Sequence, residues 1–166
     1  RVGSVANAFN PAKRSGLHFD TSIRELPSGL QEIKISSNQV ILNNGSITVP
    51  SRRNPNGAYN VIDSRFNPVS GDLNVVWLFT FNKGRGVGSE LISRAVEAAG
   101  PQNVNSIVGQ LGADNRKIFD LGVAQGLSPL EAALMTPAAK IRQNLGFDNL
   151  DVTFDVDGNP ILRGSR

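Results

Sequence analysis

Lys83-Gly84-Arg85-Gly86-Val87-Gly88 sets three glycines at alternate positions among two basic residues and a valine. The residues before it, Val75 to Phe81, are apolar apart from Thr80. Those after it repeat apolar side chains at helical spacing: Leu91, Ile92, Ala95, Val96 and Ala99. A strand that enters a helix through such a loop presents the unpaired N–H groups of the first helical turn and the positive end of the dipole. Glycine has no Cβ, so a phosphate can approach those groups closely, and Lys83 and Arg85 add positive charge. The chemistry implied is the holding of a phosphate or pyrophosphate. The same pattern also serves as a tight strand-to-helix connection that binds nothing. A nucleoside-triphosphate loop is excluded, because it ends in Gly-Lys-Ser/Thr and Gly88 is followed by Ser89-Glu90. A dinucleotide or S-adenosylmethionine fold would place Asp114 at a ribose, but it needs more strand–helix units than the remaining chain supplies.

Other groups invite weaker readings. Glu32-Ile33-Lys34, with Asp20 upstream, fits a metal-dependent nuclease in which two carboxylates hold Mg²⁺ and the lysine steadies the attacking water. The same tripeptide is ordinary on a half-exposed strand. Asp155-Val156-Asp157-Gly158-Asn159 has the composition of a calcium loop, but its glycine is misplaced and no Glu closes it, so it reads as a hairpin turn. Arg52-Arg53 could meet RNA or an acidic substrate; without interleaved aromatics it reads as a solvated loop. Trp77, inside the apolar strand, reads as core. The chain has no cysteine and the single histidine His18, so no metal site is expected.

The chain that must position these groups has 166 residues, enough for one domain with its own core. Its 39% hydrophobic and 19% charged content excludes a disordered chain, and no apolar run reaches the length of a membrane span. A net charge of +3 tolerates a polyanionic ligand without announcing a nucleic-acid partner. A cysteine-free chain suits oxidising and reducing compartments alike, which leaves localisation open. Arg1 in place of Met is expected of a processed or excised piece, and Gly164-Ser165-Arg166 reads as a cloning remnant.

Residues 1–29 show no sustained period and are expected to form an irregular arm. Residues 30–36 alternate as a half-buried strand does, and Asn43-Asn44-Gly45 marks a tight turn into a return strand. Residues 58–66 and the central 73–81 complete an antiparallel meander. A helix follows Gly88 and stops at Gly100-Pro101; then come a strand at 104–111, a helix over 114–125, a helix begun by Ser128-Pro129 and another over 137–145. Residues 150–163 close the chain as a hairpin. This order predicts a single α+β domain over 1–163, with a mostly antiparallel central sheet flanked by helices.

The glycine loop, Asn115 after the next strand, and Leu145-Gly146-Phe147 before the final strands follow one another as in the GNAT family of acetyltransferases. Residues 73–160 resemble that family. The resemblance implies a GNAT-like fold, acetyl-CoA as cofactor and transfer of the acetyl group to an amine. Lys83, Gly84, Arg85, Gly86, Val87, Gly88 and Ser89 would form the cofactor loop, with the amides from Arg85 to Ser89 on the pyrophosphate. Asn115 would bond the pantetheine arm, and strand 75–81 would offer it an edge splayed from strand 104–111. Many members carry a tyrosine acid where this chain has Arg142, which could stabilise a leaving thiolate by charge but gives no useful proton. The amine needs a base; the candidates are His18, the one residue type that ordinarily titrates near neutrality, and Asp63 or Glu32. The chain also departs from the family in having no acid on the central strand, an added helix near 128–135, and no pair of N-terminal helices. The implied partner is an amine-bearing acceptor: a small molecule, a protein or an aminoacyl-tRNA. An effector or toxin domain of a larger protein would fit the cut ends. Two alternatives stay open: an inactive relative that binds acyl-CoA without turnover, and a nuclease effector using Asp20, Glu32 and Lys34.

Overall fold

The computed structural model describes residues 8–52, 54 and 57–166. Seven strands form one sheet in the order β1 (Asp20–Glu25), β2 (Gln31–Ser37), β5 (Asn60–Asn67), β6 (Asp72–Thr80), β7 (Ser106–Gln110), β9 (Pro160–Ser165) and β8 (Asn149–Phe154). A small hairpin of β3 (Val40–Ile41) and β4 (Ile47–Thr48) stands apart from it. Every neighbouring pair is antiparallel except β6 and β7. Four helices complete the domain: α1 (Val87–Ala99), α2 (Ala113–Ala124), α3 (Pro129–Leu134) and α4 (Pro137–Asn144). The expected class, α+β with a mostly antiparallel sheet, is the one observed.

Strand alternation sets the core. Ile33 and Ile35 of β2, Ile62 and Phe66 of β5, Leu73 of β6 and Ile107 of β7 all point to one face. There they meet Leu91, Ile92, Ala95 and Val96 of α1, together with Leu145 and Phe147. Each fully buried Leu, Ile or Phe contributes about 1.5–3 kcal/mol. A second cluster joins Leu111, Phe119, Ala132, Ala133, Ala139 and Leu162 beneath α2, α3 and α4.

Both ends of the chain depart from expectation. Residues 20–25 of the predicted arm form β1, which turns into β2 through a Leu26 N–H bond to the Leu30 carbonyl. All six β1 residues are exposed, so no apolar alternation betrays this edge strand. Before β1, the described part of the arm is tied to α1: the Ala12 N–H donates to Ser93 Oγ at 3.0 Å, and the Ser15 hydroxyl donates to the buried Glu90 at 2.5 Å. At the other end, Gly164 and Ser165 are not an appendage. Gly164 sits in β9 opposite Ile107 of β7 and Leu150 of β8, and the Arg166 guanidinium lies 5.1 Å over the Phe147 ring.

Trp77 is not core; 45% of it is exposed. Simple alternation would place it beside Leu73 and Val75. Across β5 and β6, however, Asp63 pairs with Trp77 and Ser64 pairs with Val75, which leaves Val76 as an extra residue. This bulge shifts the alternation by one. Trp77 thereby moves to the outward face with Asp63, stacked on Phe79 at 6.1 Å, and Leu78 takes the core position opposite Ile62.

The helix starts divide into two kinds. α3 begins with a full capping box: Ser128 Oγ accepts the Glu131 N–H at 3.2 Å, and the Glu131 carboxylate accepts the Ser128 N–H at 3.1 Å. Thr136 Oγ1 caps α4 by accepting the Ala139 N–H. Replacing Ser128 by Ala is expected to cost about 1 kcal/mol and to lower the melting temperature by about 2–4 °C in a thermal scan. α1 and α2 start at Gly86 and Gly112 with no side-chain cap.

Candidate functional site

β6 and β7 run side by side from Asp72↔Ser106 to Val75↔Gly109, and there their pairing ends. β6 continues to Thr80, and the bulge at Val76 bends it at the point of parting. A β-carbon on Gly109 would sit 3.2 Å from the Val75 carbonyl, so the strands approach this closely because residue 109 is glycine. Between them opens a cleft of about 550 Å³, walled by β6, the start of α2 and one side of α4. A strand released from its neighbour bears N–H and C=O groups along its free edge, and an extended ligand can pair with them.

The glycine loop borders this cleft through Lys83. The Lys83 ammonium meets the Asp114 carboxylate at 2.5 Å, tying the loop to the first turn of α2. That hydrogen bond, then the Lys83 charge, with Lys117 adding to it, holds Asp114 below the usual carboxylate range. Gly84 and Gly86 adopt φ of 75° and 76°, the left-handed region that glycine enters freely. Gly88 differs, since a β-carbon there would make only ordinary contacts at 3.7–3.9 Å. The first intrahelical bond of α1 runs from Glu90 N–H to the Gly86 carbonyl at 3.0 Å. The N–H groups of Val87, Gly88 and Ser89 precede it and point outward from the helix start. Gly86 and Ser89 also face a second recess of about 520 Å³ beside the arm, where Lys13, Arg14 and Arg85 add positive charge. Arg85 leans away from the cleft and donates to the Asn43 carbonyl at 3.2 Å.

Two further side chains shape the cleft. Asn115 Oδ1 accepts the Ala138 N–H at 2.9 Å, which joins the starts of α2 and α4 and leaves the Nδ2 group as donor. Arg142 projects from α4 and is only 4% exposed. Its Nε donates to the Ile107 carbonyl at 3.2 Å, Nη1 to Ala138 at 2.9 Å and Nη2 to Leu162 at 3.5 Å. Burial pulls its pKa down to about 10, so it remains a cation at neutral pH.

The other sequence candidates lie elsewhere. His18 sits on the arm with its side chain 75% exposed, 3.2 Å from Asp20, and does not line the cleft. Asp63 is on the outward face beside Trp77, bonded to Arg65. Glu32 is buried between Arg24 at 3.1 Å and Arg65 at 3.3 Å. The proposed nuclease set is not assembled. Asp20 stands opposite Ser36, four positions along β2 from Glu32, or about 13 Å at strand rise, too far to share one ion. Among the described residues no cluster of His, Asp and Glu could hold a metal. Asp155 caps its own turn, accepting from the N–H groups of Asp157 and Asn159 at 2.9 and 2.8 Å. The Arg52 carbonyl takes the Tyr59 hydroxyl, and Arg53 lies outside the described residues.

Gly109 and the Val76 bulge shape the site without having been singled out in the sequence, and Gly164, which packs on Arg142, was read there as part of a remnant. A glycine inside a strand, as at 109, is the one signal that could have marked the fork. No described helix is long and apolar enough to cross a membrane. Compared with known proteins, the sequence matches no family model and no curated protein.

Proposed function

We propose that the chain binds acetyl-CoA in the cleft between β6 and β7 and transfers the acetyl group to an amine, as its resemblance to GNAT acetyltransferases implies. The observation that carries this is the fork itself: a free strand edge opens where the parallel pair parts, with the glycine loop at one margin and Asn115 at the other. The edge of β6 suits an extended pantetheine arm, and the amides from Arg85 to Ser89 suit its pyrophosphate. Bound there, acetyl-CoA supplies a thioester whose carbonyl carbon the amine attacks; C–N forms, C–S breaks, coenzyme A leaves as thiolate and the amine's proton passes to a base. Arg142, a buried cation on the cleft wall, stabilises the negative charge that develops. Of the candidate bases, Asp63 is the one that the sheet sets beside β6.

His18 and Asp63 are both absent from the cleft lining, which favours one second reading: acyl-CoA binding without turnover. The proposed acceptor is an amine-bearing small molecule, protein or aminoacyl-tRNA, and the proposed setting is an effector or toxin domain of a larger protein. Thermal unfolding with acetyl-CoA, S-adenosylmethionine, NAD or no ligand tests the core of it. Acetyl-CoA at about a hundred times its Kd is expected to add about 2.7 kcal/mol, or about 5–11 °C for this size, and the other two nothing. Flat melting curves with saturating acetyl-CoA would refute the proposal. A shift with no thiol release across a panel of amines would establish the binding-only reading.

A further inference from the structure

Building on the acyl-CoA reading, we infer that the acyl group this cleft prefers carries a carboxylate of its own, received by Arg142. The donor would then be a dicarboxylic acyl thioester of the succinyl type.

The charges around the cleft carry the inference. Arg65, Arg94 and Arg163 are less buried than Arg142, and each has a carboxylate at 3.3 Å or closer. Arg142 has three backbone carbonyls, and among the described residues no carboxylate lies within ion-pair reach of it. Carbonyl dipoles satisfy hydrogen-bond donors but leave a full charge uncompensated in a low-dielectric wall. Of the guanidinium's five N–H donors, these bonds engage three, the longest at 3.5 Å. The lowered pKa of about 10 has burial as its cause, as an unpaired charge requires.

Its surroundings sharpen the preference. Val75, Ile92, Ile141 and Gly109 line the cleft with Arg142, so water does little to screen an anion placed there. Asp114, the carboxylate that lines the same cleft, is engaged by Lys83 at the exposed mouth. An acetyl methyl offers the guanidinium nothing. A terminal carboxylate offers two oxygens to a planar fork, the geometry in which arginine binds most strongly.

The test is a set of calorimetric Kd values for coenzyme A, acetyl-CoA, butyryl-CoA and succinyl-CoA, with the wild type and Arg142→Met. Butyryl and succinyl groups share a four-carbon chain and differ in charge. Succinyl-CoA is expected to bind at least about tenfold tighter than butyryl-CoA. In Arg142→Met that ratio should fall to about one. The wild-type ratio stands even if the variant fails to fold. Equal affinities for the succinyl and butyryl forms would overturn the inference and leave acyl-CoA binding intact. Tighter binding of free coenzyme A than of every acyl form would overturn it as well, leaving Arg142 only the developing charge of the reaction to stabilise. No binding of any of the four would remove the acyl-CoA reading on which the inference rests.

Discussion

Gly164→Ala is expected to lower the melting temperature by about 6–12 °C, from one added methyl group. Its β-carbon would lie 2.7 Å from the Phe147 carbonyl and 2.9 and 3.0 Å from Cδ and Cβ of Arg142. Neither neighbour can give way. The Phe147 N–H is bonded to the Arg142 carbonyl at 2.8 Å, and the Arg142 side chain is fixed by three carbonyls. The strand cannot retreat either, because β9 is hydrogen-bonded on both edges. Overpacking of this kind costs about 3 kcal/mol, and at this chain length each kcal/mol is worth about 2–4 °C. The matched control is Gly88→Ala, where the nearest atoms stand at 3.7–3.9 Å. In the first turn of α1 that change is expected to stabilise by up to about 1 kcal/mol through helix propensity. Thermal and urea unfolding of the two variants should therefore move in opposite directions. A Gly164→Ala protein melting within 2 °C of wild type, a margin of about 0.5–1 kcal/mol, would show that β9 yields where the packing says it cannot.

The second large effect concerns the ligand. Gly86→Asp is expected to weaken acetyl-CoA binding about a hundredfold, equivalent to about 2.7 kcal/mol, while the protein stays folded. Residue 86 has left-handed φ, which aspartate tolerates better than most residues. At a helix start that has no side-chain cap, its carboxylate can accept an N–H from the first turn and complement the dipole. The strain and the new cap offset each other to within about 1 kcal/mol. The same carboxylate takes the donors that a pyrophosphate would use and repels its charge. Titration calorimetry reads the affinity and a thermal scan reads the fold. An unchanged Kd would show that the phosphate does not sit at the start of α1.

Much of this architecture can be read from the residues, and where it cannot, the reasons are physical. β2, β5 and α1 each bury one face, so their apolar periods are clean. β1 buries nothing and carries no such signal. The Val76 bulge is invisible in Val75-Val76-Trp77-Leu78-Phe79, because an unbroken apolar run has no alternation to shift. The bulge nevertheless moves Trp77 from the core to the cleft and marks where β6 leaves β7. The glycine loop was legible as a strand-to-helix corner, but not the division among its glycines: two serve backbone conformation, and the third leaves room. The locations of His18 and Asp63 were not legible, since neither carries a marker of which face it will occupy. Arg142 was singled out by its place before Leu145-Gly146-Phe147. Its burial depends on Gly109 and Gly164, which lie 33 and 22 positions away in the chain.

β9 comes last among the strands in chain order yet lies between β7 and β8 in the sheet. β1, β2, β5 and β6 can pair, with α1 laid across them, while the chain is still being made. Residues 149–154 must wait without a partner until 160–165 arrive to bridge them to β7. Arg142 waits as well, because one of its three acceptors is Leu162. Closing contacts so distant in sequence is the slow part of folding. The cleft is thus the last part of this domain to form, and a domain with a finished cleft is one whose sheet is already complete.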